Sequence, residues 1–117
     1  MYHNLIFTSV ANSANGEVDA TTRFHYRQEG DLASGNAVVW ATYAGGGVTF
    51  GTLVAKAAPD GSLDMRYSHV NRDGKLMTGL CRSTPERLPD GRIRLHERWQ
   101  WTSGDGSSGE SVVEQVN

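Results

Sequence analysis

Apolar and polar positions alternate along most of this chain, and turn residues interrupt the alternation at near-regular intervals. The interruptions are Asn15-Gly16, Glu29-Gly30-Asp31, Gly45-Gly46-Gly47, Pro59-Asp60-Gly61, Asp73-Gly74, Pro89-Asp90-Gly91 and Gly104-Asp105-Gly106. Glycine supplies the positive φ that tight hairpins need, and proline presets the corner before it. The spacing predicts about eight strands, at 4–10, 17–28, 36–44, 47–57, 62–71, 75–84, 91–102 and 109–116. No stretch sustains a 3.6-residue period, so long helices are not expected. The segment 30–35 reads as a connector holding one helical turn or moving freely.

Strand 91–102 has the cleanest alternation. Ile93, Leu95, Glu97, Trp99 and Trp101 share one face; Arg92, Arg94, His96, Arg98 and Gln100 share the other. The Trp face should look inward, which sets a carboxylate among apolar neighbours. Three-residue loops at Pro89-Asp90-Gly91, Arg72-Asp73-Gly74 and Pro59-Asp60-Gly61 pair odd residues with odd. Met77, Gly79, Cys81 and Ser83 then face inward, as do Met65, Tyr67 and His69, and Gly51, Leu53, Ala55 and Ala57. A two-residue loop at Gly45-Gly46 switches parity and turns Val38, Trp40 and Thr42 inward. Thr22, Phe24 and Tyr26 are inward on the second strand. A one-residue slip would invert any of these faces.

Consecutive hairpins without a crossover helix predict an all-β fold: a single up-and-down antiparallel barrel of about eight strands spanning 1–117 as one domain. Closure removes the exposed sheet edges. An eight-stranded barrel is either filled by side chains or holds one small ligand. Small residues opposite tryptophans suit a cavity, and large–small complementary packing of a solid core is the alternative.

Composition narrows the setting. The 117 residues carry a formal net charge of -2 and only 38% apolar residues. A thin core is expected, with no nucleic-acid or membrane partner. Cys81 is the lone cysteine, which excludes an internal disulfide and fits a reducing compartment. No basic-then-apolar leader pattern and no run of about 18 apolar residues is present, so a cytoplasmic location is expected. An outer surface carrying Phe50, Val54, Val39 and Tyr43 would offer contact for a homodimer or larger homo-oligomer.

Glu97 is the titratable residue of most interest. A buried carboxylate must be hydrogen-bonded or paired, and burial raises its pKa. It is either a ligand anchor or general acid/base, or a structural partner for a tryptophan, tyrosine or arginine. His96-Glu97 opens like a zinc-protease motif, but Gln100 stands where the second histidine would be. No metal and no cofactor is expected. Cys81 reads as a structural apolar cysteine. The arginine face reads as solvated or cross-strand paired, with anion attraction as the alternative.

The stretch Arg92 to Asp105, with Gly109-Glu110-Ser111, Asp64-Met65-Arg66-Tyr67 and Leu76-Met77-Thr78-Gly79, resembles a group of short bacterial proteins with avidin/calycin-like barrels. The resemblance runs from about Gly16 to Glu114, and Ala33 to Ala37 reads as an insertion relative to the group. Many of its members carry the label N-acetylglutamate synthase. Acyl-CoA transferases of the usual kind hold the pyrophosphate at a glycine-rich strand-to-helix turn. This sequence has no such turn, so that activity is not expected. Trp99-x-x-Thr102-Ser103-Gly104 also resembles a segment of biotin-binding avidins, which implies that Trp99 lines a pocket.

Three functions stay open at this point. The first is a barrel binding a small apolar or aromatic molecule among Trp40, Trp99, Trp101, Tyr67 and Tyr26, with Glu97 supplying polarity and His69 nearby. The second is an enzyme using Glu97, with Tyr67 or His69, for proton transfer. The third is a filled barrel acting through its surface.

Overall fold

A computed structural model describes residues 1–117. Eight antiparallel strands close into one barrel in sequence order, with β8 returning to β1. They are β1 (Ile6–Asn12), β2 (Arg23–Glu29), β3 (Ala37–Gly45), β4 (Val48–Ala57), β5 (Leu63–Asn71), β6 (Leu76–Arg87), β7 (Ile93–Trp101) and β8 (Ser108–Gln115). No helix is long and apolar enough to cross a membrane. The connector after β2 holds one 3₁₀ turn, Leu32–Ser34, capped by Asp31 through its contact with the Ala33 amide.

One local rule builds half of the sheet. Ala58 pairs with Ser62, Asn71 with Lys75 and Leu88 with Arg92, each across a three-residue loop ending in glycine. Gly61, Gly74 and Gly91 adopt φ of 90°, 77° and 89°, the left-handed corner this loop demands. These loops fix β4 to β7 in register, so Leu53, Tyr67, Gly79 and Trp101 face the same interior.

The inward order predicted for β3 is reversed. Gly45 pairs with Val48, but Tyr43 pairs with Gly51. Three residues of β4 therefore span what two of β3 span. This β-bulge, at Thr49 and Phe50, restores the parity that the two-residue turn had switched. Val39, Ala41 and Tyr43 point inward. Trp40 is on the outer face and 38% exposed, and Val39 and Tyr43 are removed from the outer surface. Trp40 and Val38 join Phe50, Val54, Val70 and Leu76 among the exposed large apolar side chains. The strand predicted at 17–28 also begins later. Asp19 accepts both the amide and the hydroxyl of Thr21, and Thr22 donates back to the Asp19 carbonyl, so 17–22 is irregular with one turn at 20–21.

The two halves of the interior differ. At the end holding the 59–61 and 89–91 loops, Tyr2, Phe7, Val39, Leu63, Ile93 and Leu95 are all sealed from solvent. The Tyr2 hydroxyl closes that end by donating to the Gly61 carbonyl at 2.6 Å. At the other end the side chains are larger, and glycines make room for them. Tyr43, Tyr67 and Trp99 each sit across a glycine of the next strand: Gly51, Gly79 and Gly109. A Cβ at any of these glycines would fall within the facing ring.

Gly51 is the case to test, because a Cβ would meet atoms of two residues, the Tyr43 ring and the Cβ of His69. Overpacking a filled site costs about 1–3 kcal/mol. Gly51→Ala should lose at least that much in denaturant unfolding; an unchanged midpoint would contradict the packing described.

Candidate functional site

The wider half encloses a cavity of about 60 Å³ beneath the β1–β2 loop. That is room for about four to six waters, or a ligand of a handful of non-hydrogen atoms. Its walls are Phe24 and Tyr26 of β2, Tyr43 of β3, Leu53 of β4, Met65, Tyr67 and His69 of β5, Cys81 of β6, Glu97, Trp99 and Trp101 of β7, and Ser111 of β8. Asn12 closes β1, and Gly16, Glu17 and Val18 cross the top from the loop. Tyr26, Tyr67, His69, Glu97, Trp99 and Trp101, all candidates from the sequence, meet on this one space. Trp40 does not reach it.

The aromatic rings touch edge to face. Trp99 and Trp101 have centroids 5.5 Å apart, and Tyr67 and Trp101 are 5.8 Å apart. Such tilted pairs align the positive edge of one ring with the negative face of the next. Trp99 and Trp101 are 7% and 6% exposed.

Glu97 stands between two serines in the sheet: Ser83 is opposite it on β6 and Ser111 opposite it on β8. Ser83 Oγ donates to Oε2 at 2.8 Å and Ser111 Oγ donates to Oε1 at 3.1 Å. No tryptophan, tyrosine or arginine holds it, contrary to the structural alternative read from the sequence. Burial pushes the carboxyl above its ordinary range, and contacts from Ser83, Ser111 and the Cys81 thiol pull it partway back. The Tyr26, Tyr43 and Tyr67 hydroxyls are raised by burial too, and by the nearby Glu97 charge. Burial raises the Cys81 thiol far above its usual value, so it is no ready thiolate.

A second polar group ties the top of the cavity. His69 is 3% exposed; its Nδ1 lies 2.8 Å from Tyr43 Oη and its Nε2 2.7 Å from Glu17 Oε1. In the neutral ring, Nε2–H donates to Glu17 and Nδ1 accepts the Tyr43 proton. Asn71 Nδ2 donates to the other Glu17 oxygen at 2.9 Å. Trp101 Nε1 donates to the Asn15 carbonyl at 3.2 Å, and Asn12 Nδ2 to the Val18 carbonyl at 3.1 Å. The loop is thus latched from β1, β5 and β7. Asn12 Oδ1, by contrast, is buried with no hydrogen-bond partner. No three His, Cys, Asp or Glu side chains converge as a metal site requires.

Sequence reasoning missed Tyr43, Glu17, Asn12 and Ser111 as site residues. The bulge hid Tyr43. Glu17 and Asn12 act through a loop whose long-range contacts have no periodic signal. Ser111 was reachable: Glu97 and Ser111 pair by the register that runs from Gln100–Ser108, but the 102–106 loop carries no three-residue signature.

A family model described as avidin-like protein matches residues 1–116 of the chain. No curated protein and no solved structure matches it.

The pH dependence of Glu97 can be tested through stability. A carboxyl raised in the folded state stabilises the fold most below its unfolded value, about 4.3, and that contribution is lost as pH rises through the folded value. Glu97→Gln removes the loss. The melting temperature of Glu97→Gln should therefore gain on the parent as pH goes from 4 to 8. A difference that stays flat across this window would show that Glu97 titrates like an exposed glutamate.

Proposed function

We propose that this chain, which belongs to the avidin-like protein family, binds one small, largely apolar molecule in the ring-lined half of its barrel. An avidin-like barrel suits small-molecule binding in general. The observation that carries the reading is the cavity itself: aromatic walls, one end sealed, and a half-buried carboxylate with no cationic side chain beside it. Pockets of this kind combine apolar walls with a few convergent polar atoms that orient the ligand. Trp99, Trp101, Tyr67 and Tyr26 would pack against the ligand body. Glu97 and His69 mark the polar ends of the space, and Tyr43 and Phe24 extend the aromatic wall. Glu17 and Asn12 would cover the ligand from the loop.

Binding is favoured over acid–base catalysis by one feature. Both ring nitrogens of His69 are already engaged, by Tyr43 and Glu17, and His69 does not touch Glu97. His69 therefore has no free nitrogen with which to share proton transfer with Glu97. A reducing, cytoplasmic setting belongs to the same reading, supported by the single buried thiol of Cys81.

The test uses Trp99 and Trp101 as reporters in a Trp40→Phe background, which removes the exposed ring. Titration with isobutanol should give a saturable, one-to-one change in emission, and native mass spectrometry of freshly purified protein should show a bound small mass. A strictly linear, solvent-like emission change together with a bare protein mass would remove the binding reading.

A further inference from the structure

Two acceptor groups on the cavity wall, Glu97 and Asn12, lack a full set of partners. Glu97 receives one serine hydroxyl on each oxygen, with the Cys81 thiol beside it, and its lone pairs leave room for a further donor. Asn12 Oδ1 is buried and receives none. The Asn12 amide orientation is fixed, because its Nδ2 is committed to the Val18 carbonyl. The second acid on the wall, Glu17, is already bound by His69 and Asn71. No lysine or arginine lines the space. Arg94 and Arg98 of β7, and Arg92 just before it, point outward, where Arg92 and Arg94 pair with Glu114 and Arg98 with Glu110.

A buried carboxylate is ordinarily paired with a cation. Here the protein supplies hydrogen bonds to Glu97 and no countercharge. The remaining wall is aromatic, and ring faces attract cations. Resting on the cavity-binding reading above, we infer that the ligand is a small organic cation, an alkylammonium, whose N–H groups are shared between Glu97 and Asn12 and whose carbon body lies among Tyr67, Trp99 and Trp101. An ammonium would supply the donors these acceptors lack and the charge that Glu97 lacks. A carboxylate ligand would meet Glu97 with like charge. A neutral alcohol would supply at most one donor and no charge.

The experiment compares three probes of equal length on the wild-type protein at pH 8: n-propylammonium, 1-propanol and propionate. Binding is read by isothermal titration calorimetry and by Trp emission. The ammonium should bind at least tenfold more tightly than the alcohol, with no binding of propionate. Glu97→Gln should reduce the ammonium affinity at least tenfold and reduce the alcohol affinity by a much smaller factor. Asn12→Ala, next to Ser111 across the sheet but outside the hydrogen bonds that hold Glu97, should lower the ammonium affinity more than the alcohol affinity and provides a second variant. Equal or tighter binding of the alcohol, or an ammonium preference that survives Glu97→Gln, would overturn the cation assignment while leaving the cavity reading intact. Failure of all three probes to bind would overturn both.

Discussion

Room for a ring exists in the wide half of this barrel only where the neighbouring strand carries no side chain. Eight strands close around a narrow interior, just wide enough for side chains to fill it. Tyr43, Tyr67 and Trp99 enter that interior because Gly51, Gly79 and Gly109 stand beside them across the sheet. The glycines let the rings lie along the wall rather than across the middle, and space is left between them. Where the cross-strand partners are Val39 and Ala55, or Leu63 and Ser83, no such space remains and the barrel is solid. The pattern of glycine within the sheet thus decides which half is core and which half is cavity. Glycine in a strand interior weakens the strand, so these three are a cost carried for the cavity.

The same geometry sets the electrostatics. Glu97 lies on β7, whose alternation leads from the solid half, at Ile93 and Leu95, to the wide half, at Trp99 and Trp101. Its position midway puts it at the floor of the cavity. Serines on both flanking strands hold its two oxygens, which keeps the carboxyl oriented without neutralising it. At the roof, Glu17 is held by His69 and Asn71, and Tyr43 completes the chain of contacts. Floor and roof are therefore built differently: one acid is hydrogen-bonded but without countercharge, the other is tied to a histidine and latches a loop. The latch joins segments far apart in sequence, Glu17 to His69 and Asn15 to Trp101. Such contacts make the roof part of the folded barrel rather than a free appendage.

Much of this was written locally. The three loops ending in Gly61, Gly74 and Gly91 carry their geometry in their own residues, and register across β4 to β7 follows from counting through them. Tyr67, His69, Glu97, Trp99 and Trp101 were placed inward for that reason. Trp40 was misplaced because a bulge at Thr49 and Phe50 changes parity without any distinct residue to announce it. The same bulge concealed Tyr43. Asp19 set a turn where alternation suggested strand, which hid the loop that brings Glu17 over the cavity. Periodicity reports which face a residue takes within a strand. It is silent on loop contacts across the barrel, and those define the roof.

The central claim is that one half of the barrel is solid and the other hollow. A crystal structure determined under xenon pressure tests it directly, because xenon occupies apolar voids and leaves close-packed regions empty. The account predicts a xenon peak among Leu53, Tyr67 and Trp99, and none among Phe7, Leu63 and Leu95. Xenon absent from the first group, with Tyr67 or Trp99 collapsed into the space, would contradict it.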